Sequence, residues 1–325
     1  MPKMNNPWEN ISVPESDIHA RRVDSDHPFD LFWGKNSIGN PLFICELSGH
    51  NLKAGDLPEL EGVKADLIES KGPKLILELL RSEDWELFHG VCIDLVNATA
   101  RLSNEDSVPT VIVRRLKRWQ DFLKRQGRRG LSQSEILGLI GELLFLRDEL
   151  APTVGLKDAV LSWQGPEDYP QDFNIGACAV ELKCCSGSGG KSVRISSAEQ
   201  LCPELPSLFL HVYAVGKGGK PEESVSLLEL VNRVRADLGN EDFDVAERFE
   251  NLLQAVGYVD LPEYEIPRYT VVGGTTYGVG ASFPKIEAGE LSPELSKVSY
   301  TLSLASLERF VVSPDWREFR SNDTR

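Results

Sequence analysis

Two carboxylates and an ammonium fall within one short run of this chain, and their spacing is suited to chemistry on a phosphate ester. Residues 169–183 read YPQDFNIGACAVELK, with Asp172 opening a β-like apolar segment and Glu181 and Lys183 closing it. Strand side chains alternate between faces, so Ala179, Glu181 and Lys183 share one face while Cys178, Val180 and Leu182 take the other. A third acid, Glu142, lies inside the apolar run ILGLIGELLFL at 136–146. A buried carboxylate there is costly unless it is paired or holds a metal. Phosphodiester hydrolysis needs an activated water, charge relief at phosphorus and help for the leaving oxygen, and a divalent cation supplies much of this. Mg2+ takes oxygen ligands and keeps several waters, so two or three acids suffice. On this reading Asp172 and Glu181 ligate Mg2+ (or Mn2+), with the Leu182 carbonyl available between Glu181 and Lys183. Lys183 orients or deprotonates the water, and Glu142 completes the shell directly or through water. The plain alternative is an in-chain Glu181–Lys183 ion pair on an exposed strand face.

These residues need elements to position them. Ser132 and Glu135 form a capping-box pattern for a helix running to about Leu150, with Pro152 just beyond. Gly176 turns the chain between an extended run at 172–175 and a strand at 178–184. A Gly/Ser-rich loop (186–192) leads to a strand at 193–196, a helix starting at 197–201 and a buried strand at 207–215. Amphipathic helices are expected at 224–238 and 244–256, strands at 268–272 and 298–304, and a turn or bulge in the Gly-rich 273–280. Upstream, residues 1–28 read as a polar extended arm or first turn and 29–102 as a small α+β domain, with a strand at 41–47 and a helix at 85–102. Residues 75–80 (LILELL) are ambiguous between strand and helix. His50 and His89 read as structural or surface residues. The tail from Phe310 reads as frayed.

The formal net charge is -15. A nucleic-acid partner would therefore need a local basic patch or bridging metal. One such patch exists. Arg114, Arg115, Lys117, Arg118, Lys124, Arg125, Arg128 and Arg129 stand against one acid, Asp121, while Leu116, Trp119 and Leu123 share a helical face. This helix could contact phosphate, or it could balance acidic neighbours.

Other signals are weaker. The six cysteines have neither zinc-site nor disulfide spacing and suit a reducing compartment. Gly190-Lys191-Ser192 lacks the first glycine of a phosphate-binding loop, because position 185 is Cys185. The polar N-terminus lacks an apolar signal core, and no apolar run is long enough for a membrane span. A cytoplasmic location is the expectation.

Asp172, Glu181-x-Lys183, the preceding helical Glu142 and a following strand-helix unit with Gln200 together resemble the PD-(D/E)XK nuclease superfamily. GLIGELLFL, W-x-G-P, DF, VELK and VRISSAEQL resemble an uncharacterised bacterial branch of it, associated with restriction-modification and phage-defence clusters. Gln171 stands before the acid where the pattern has proline. The likeness is good over about 131–215 and loose in the flanks. It implies an α/β (α+β) fold: a restriction-endonuclease-like core of mixed β-sheet flanked by helices, with an N-terminal α+β domain and a C-terminal helix-plus-strand extension. The implied partition is 1–110, a basic linker helix at 111–130, the nuclease core at 131–215, and 216–325. It also implies a catalytic set of Glu142, Asp172, Glu181, Lys183 and Gln200, acting as a Mg2+-dependent DNA endonuclease on double-stranded DNA. The basic helix, with Lys191 and Arg194, would hold the backbone. ATPase or methyltransferase subunits and a second copy of the chain are compatible partners. The alternative is a non-catalytic subunit that keeps the fold and docks such a partner.

Overall fold

The computed structural model describes residues 6–47, 52–69, 72–100, 102, 104–126, 130–167, 169–187, 192–202, 204–239, 243–292, 294–295 and 298–319. The chain divides into two compact units, one formed by 1–130 with 257–262 and the other by 131–256 with 263–325. The basic helix thus belongs to the first unit, and much of the segment after residue 216 belongs with the site-bearing core.

The first unit holds strands β1 (Ile18–Arg22), β2 (Leu31–Asn36), β3 (Pro41–Glu46), β4 (Val63–Ile68) and β5 (Lys74–Leu79), then helices α1 (Trp85–Ala100) and α2 (Val108–Gln126). The sheet is antiparallel with order β1-β2-β3-β5-β4. The ambiguous 75–80 run is a strand because it lies between β3 and β4, where Leu75, Ile76, Leu77 and Leu79 are all buried. The N-terminal segment is no free arm. Trp8 is buried, stacks on Phe88 at 5.2 Å and donates its indole N–H to the Leu42 carbonyl at 2.8 Å. One large aromatic residue outweighs the polar composition around it.

The second unit begins with α3 (Gln133–Leu144), whose Ser132–Glu135 capping box forms in both directions. The ladder then widens into a π-helical stretch, Phe145–Leu150, before α4 (Ala151–Val154) and α5 (Leu156–Ser162). Pro152 therefore lies within the continuing helical path, because the wider turn precedes the residue that cannot donate. Then come β6 (Phe173–Ile175), β7 (Cys178–Ser186), β8 (Ser192–Ile195), β9 (Ser207–Lys217), α6 (Leu227–Leu238), α7 (Phe243–Ala255), β10 (Tyr269–Gly278), β11 (Tyr300–Ser303) and β12 (Val311–Val312).

The central sheet has order β12-β10-β9-β7-β6, with β7 and β9 parallel and its other pairs antiparallel. The expected mixed sheet flanked by helices is therefore present. On one face Phe145 packs 5.1 Å from Phe173 and 5.3 Å from His211 (ring centroids). On the other, Ala179, Leu210 and Val212 pack against Val193, Ile195 and Leu302. Strand β8 pairs with β11 in a two-stranded ribbon, not in the central sheet. The Gly-rich 273–280 is mostly strand β10, with a register irregularity between Val271 and Gly273. The tail is not frayed over its described part. Trp316 is buried and stands 5.3 Å from Phe145 and 5.4 Å from Phe209. No helix among the described residues is long and apolar enough to cross a membrane.

Candidate active site

The hairpin β6–β7 turns through Gly176-Ala177, with Gly176 at φ +55°, where a two-residue turn of the primed type wants glycine first. Strand β6 pairs only with residues 178–180, so β7 runs on past it with an open edge. The side chain of Asp172, just before β6, takes over the ladder there: its Oδ2 accepts the Leu182 backbone N–H at 2.7 Å. The Leu182 carbonyl projects to the same edge as its N–H. Asp172 is itself pinned, because its carbonyl accepts the N–H groups of Gln164 at 2.8 Å and Gly165 at 3.0 Å.

Glu181, one residue before Leu182 on β7, is fully buried. Its Oε1 pairs with the Lys183 ammonium, while its Oε2 is buried without a hydrogen-bond partner. Glu142 reaches the same region from α3. Helix and strand approach closely because residue 141 is glycine: a β-carbon there would sit 2.7 Å from Cys184 Sγ. Cys184 in turn donates to the Leu137 carbonyl at 3.2 Å. Gly141→Val is expected to force α3 off β7 and lower stability by about 2–3 kcal/mol, read by chemical denaturation. It should also disturb Glu142, whereas Gly138→Ala on the same helix should be well tolerated.

Glu142 is fixed by one specific bond, from the Trp163 indole N–H to Oε2 at 2.7 Å. Both Asp172 Oδ1 and Glu142 Oε2 border the open face of Gly165, where a methyl group would lie 2.9 Å from the first and 3.4 Å from the second. Two of the three acids thus face a common small space. The third is linked to it through Lys183 and the field of Asp172.

Charge follows the burial. Glu142 is pushed up to about 8, first by burial and then by Asp172, with Trp163 and Lys183 opposing. Asp172 is raised by burial against the pull of Lys183 and the Leu182 N–H. Glu181 is raised well above the ordinary range by burial, with Asp172 adding to it. Burial works against the Lys183 ammonium, but Glu181, Asp172 and Glu142 outweigh it and keep its pKa above the usual value. The cluster therefore carries more potential negative charge than its one lysine can balance.

Among the described residues no three His, Cys, Asp and Glu side chains form a ready-made metal cage. The donors present still fit a hard cation that keeps its own waters: two carboxylates and a strand-edge carbonyl, with one buried carboxylate oxygen lacking a partner. That unpaired Oε2 is what a bound cation or water would satisfy.

The other expected site residues are dispersed. Gln200 sits on a single 3-10 turn, Ala198–Leu201, where a helix was expected, and its side chain folds back to accept the Ser196 N–H at 2.8 Å. Its carbonyl accepts from Gln171 Nε2 at 3.3 Å, as does that of Glu199 at 2.9 Å. Gln171, which replaces the proline of the pattern, thereby ties this turn to the residue beside Asp172.

On α2, Arg115 pairs with Asp94 at 3.1 Å and Arg118 is buried, so both turn inward rather than presenting charge. Trp119 donates to the same Asp94 at 3.0 Å, which makes that acid the internal anchor of the helix. Arg114 is half-buried, while Lys117 and Lys124 are exposed. Arg194 is exposed on β8 and donates to Ser299 Oγ at 3.1 Å. Arg128, Arg129 and Lys191, like the side chain of Arg125, lie outside the described residues. Trp163, Gly165 and Gln171 escaped sequence reasoning. Trp163 and Gly165 stand in the W-x-G-P run, but nothing local signals a partner 21 residues upstream.

Residues 4–305 match the family model described as "Putative PD-(D/E)XK family member, (DUF4420)". The chain belongs to this family. Membership agrees with the mixed sheet and flanking helices of the PD-(D/E)XK type of fold. Neither a curated protein nor a solved structure matches the chain.

Proposed function

We propose that this PD-(D/E)XK family member is a Mg2+-dependent (or Mn2+-dependent) DNA endonuclease, the cleaving component of a bacterial restriction-modification or phage-defence system. The observation that carries the reading is Glu181: fully buried, paired with Lys183 and in the field of Asp172, with one carboxylate oxygen unpaired. Asp172, Glu181 and the Leu182 carbonyl would hold the cation, and Glu142 would contact it directly or through water. A bound divalent cation would polarise the phosphate and make water a better nucleophile near neutral pH.

The remaining roles fall to the chain's own groups. Lys183 is held charged by the acids around it, which suits orienting the water and offsetting phosphate charge. The Asp172 carboxylate keeps its aim because its second oxygen is tied to Leu182. Exposed Lys117, Lys124 and Arg194 are available for DNA phosphates, and binding through them would weaken steeply with salt. A purely docking subunit would need only the Glu181–Lys183 pair. It offers no reason to bury a carboxylate with an oxygen left over.

The test is supercoiled-plasmid cleavage with Mg2+ or Mn2+. Wild-type protein should nick or linearise the plasmid, and Asp172→Ala and Lys183→Ala should each slow this by at least about 100-fold. Cleavage that survives both substitutions would overturn the site assignment.

A further inference from the structure

We infer that Trp163 is a positioning residue for this site: its indole N–H sets where the Glu142 carboxylate stands, and neighbouring Gly165 keeps the space between Glu142 and Asp172 open. The inference rests on the nuclease reading and extends it to two residues that touch no substrate.

Trp163 is fully buried, closes α5 and bridges to Phe173, the first residue of β6. Its ring stands 5.9 Å from that of Phe249 on α7. The indole is thus held between β6, next to Asp172, and α7, and its one polar atom is spent on Glu142 Oε2 at 2.7 Å. Trp has a single donor and no acceptor, so the bond has only one direction and suits an acceptor carboxylate. Two residues later the chain passes against the acids at Gly165, whose Cα side faces Asp172 Oδ1 and Glu142 Oε2. The backbone there is not in the left-handed region. Glycine is therefore required for space and not for conformation. A short W-x-G segment so performs two tasks, aiming one acid and leaving room between two. Arg248 on α7 holds the same segment from behind, with Nη1 donating to Glu167 Oε1 at 2.6 Å and Nη2 to Oε2.

The test is a double-substitution cycle on the full chain with Trp163→Phe, Glu142→Gln and both together. Three quantities are read: Mn2+ affinity by calorimetry, thermal melting without metal, and plasmid cleavage. Phenylalanine keeps the ring packing and removes the donor. Trp163→Phe should weaken Mn2+ binding and slow cleavage by about tenfold, the effect expected of an outer-shell partner. In the Glu142→Gln background it should add little to either loss, because the carboxylate it aims is gone. A ring that only fills the core would give additive losses in affinity and cleavage, and would overturn the inference. Gly165→Ala should reduce Mn2+ affinity and cleavage, because its methyl would press on the Asp172 carboxylate; unchanged affinity would overturn the part assigned to Gly165. Absence of Mn2+ binding by the wild-type protein would overturn the nuclease reading and this inference with it. Wild-type binding with additive losses would overturn this inference alone.

Discussion

Glu181→Gln is expected to melt higher than the wild type when metal is absent at pH 8, and to cleave DNA at least about 100-fold more slowly. The two effects have one cause. Glu181 is fully buried and has one oxygen without a partner, so its charge is stabilised by Lys183 alone and opposed by Asp172 and Glu142. Removing that charge leaves Lys183 with Asp172 and Glu142 still near it. The relief should be about 1–2 kcal/mol, or a few degrees in melting temperature. A structural Glu181 would behave oppositely: its loss would strand the lysine and lower the melting temperature. Differential scanning fluorimetry without and with Mn2+ separates the two, because the wild type alone should gain stability from the metal.

The second large effect is on pH. Without metal, the protein should lose stability as pH rises from about 6.5 to 8, with melting falling on the order of 5 °C. The sign follows from Glu142. Its carboxyl is pushed up to about 8, so across this window the folded state keeps a proton that the unfolded chain has released. A group that holds more protons when folded loses stability with rising pH, by about 1.4 kcal/mol per pH unit for each proton. Lys183 is raised above its ordinary value and contributes no change in this window. His211, lowered to about 4 by burial, and His89, also lowered, act in the other direction below about pH 6.5, so the window starts there. Mn2+ should displace that proton. Its stabilisation should therefore grow with pH, and calorimetry in two buffers should register proton release on binding.

The parts of the candidate cluster that are legible in the sequence are those whose signal is local. Asp172, Glu181 and Lys183 lie on one hairpin, and alternation plus Gly176 suffices to pair them. Glu142 stood out because a carboxylate within an apolar helix must answer to something. The capping box at Ser132 and most core strands were legible for the same reason. What was missed depends on contacts distant in the chain. Trp8 and Trp316 are isolated aromatics in polar stretches, and only their partners Phe88 and Phe145 show that each is buried core. β8 reads as a strand, but its partner β11 lies about a hundred residues downstream, so its departure from the main sheet has no local mark. Arg115 looks like solvent-facing charge until Asp94 is placed on the neighbouring helix, and Arg118 until its burial is seen. Trp163 entered only as part of the W-x-G-P run, whereas its N–H is what meets Glu142.

The most direct measurement is anomalous diffraction from a crystal of the full chain soaked in Mn2+ at pH 8. A peak is expected within about 2.5 Å of an Asp172 carboxylate oxygen and of Glu181 Oε2, with waters completing the shell. A peak confined to surface carboxylates, with Glu181 Oε2 still unpaired, would contradict the account of this cluster as a metal-dependent phosphodiesterase centre.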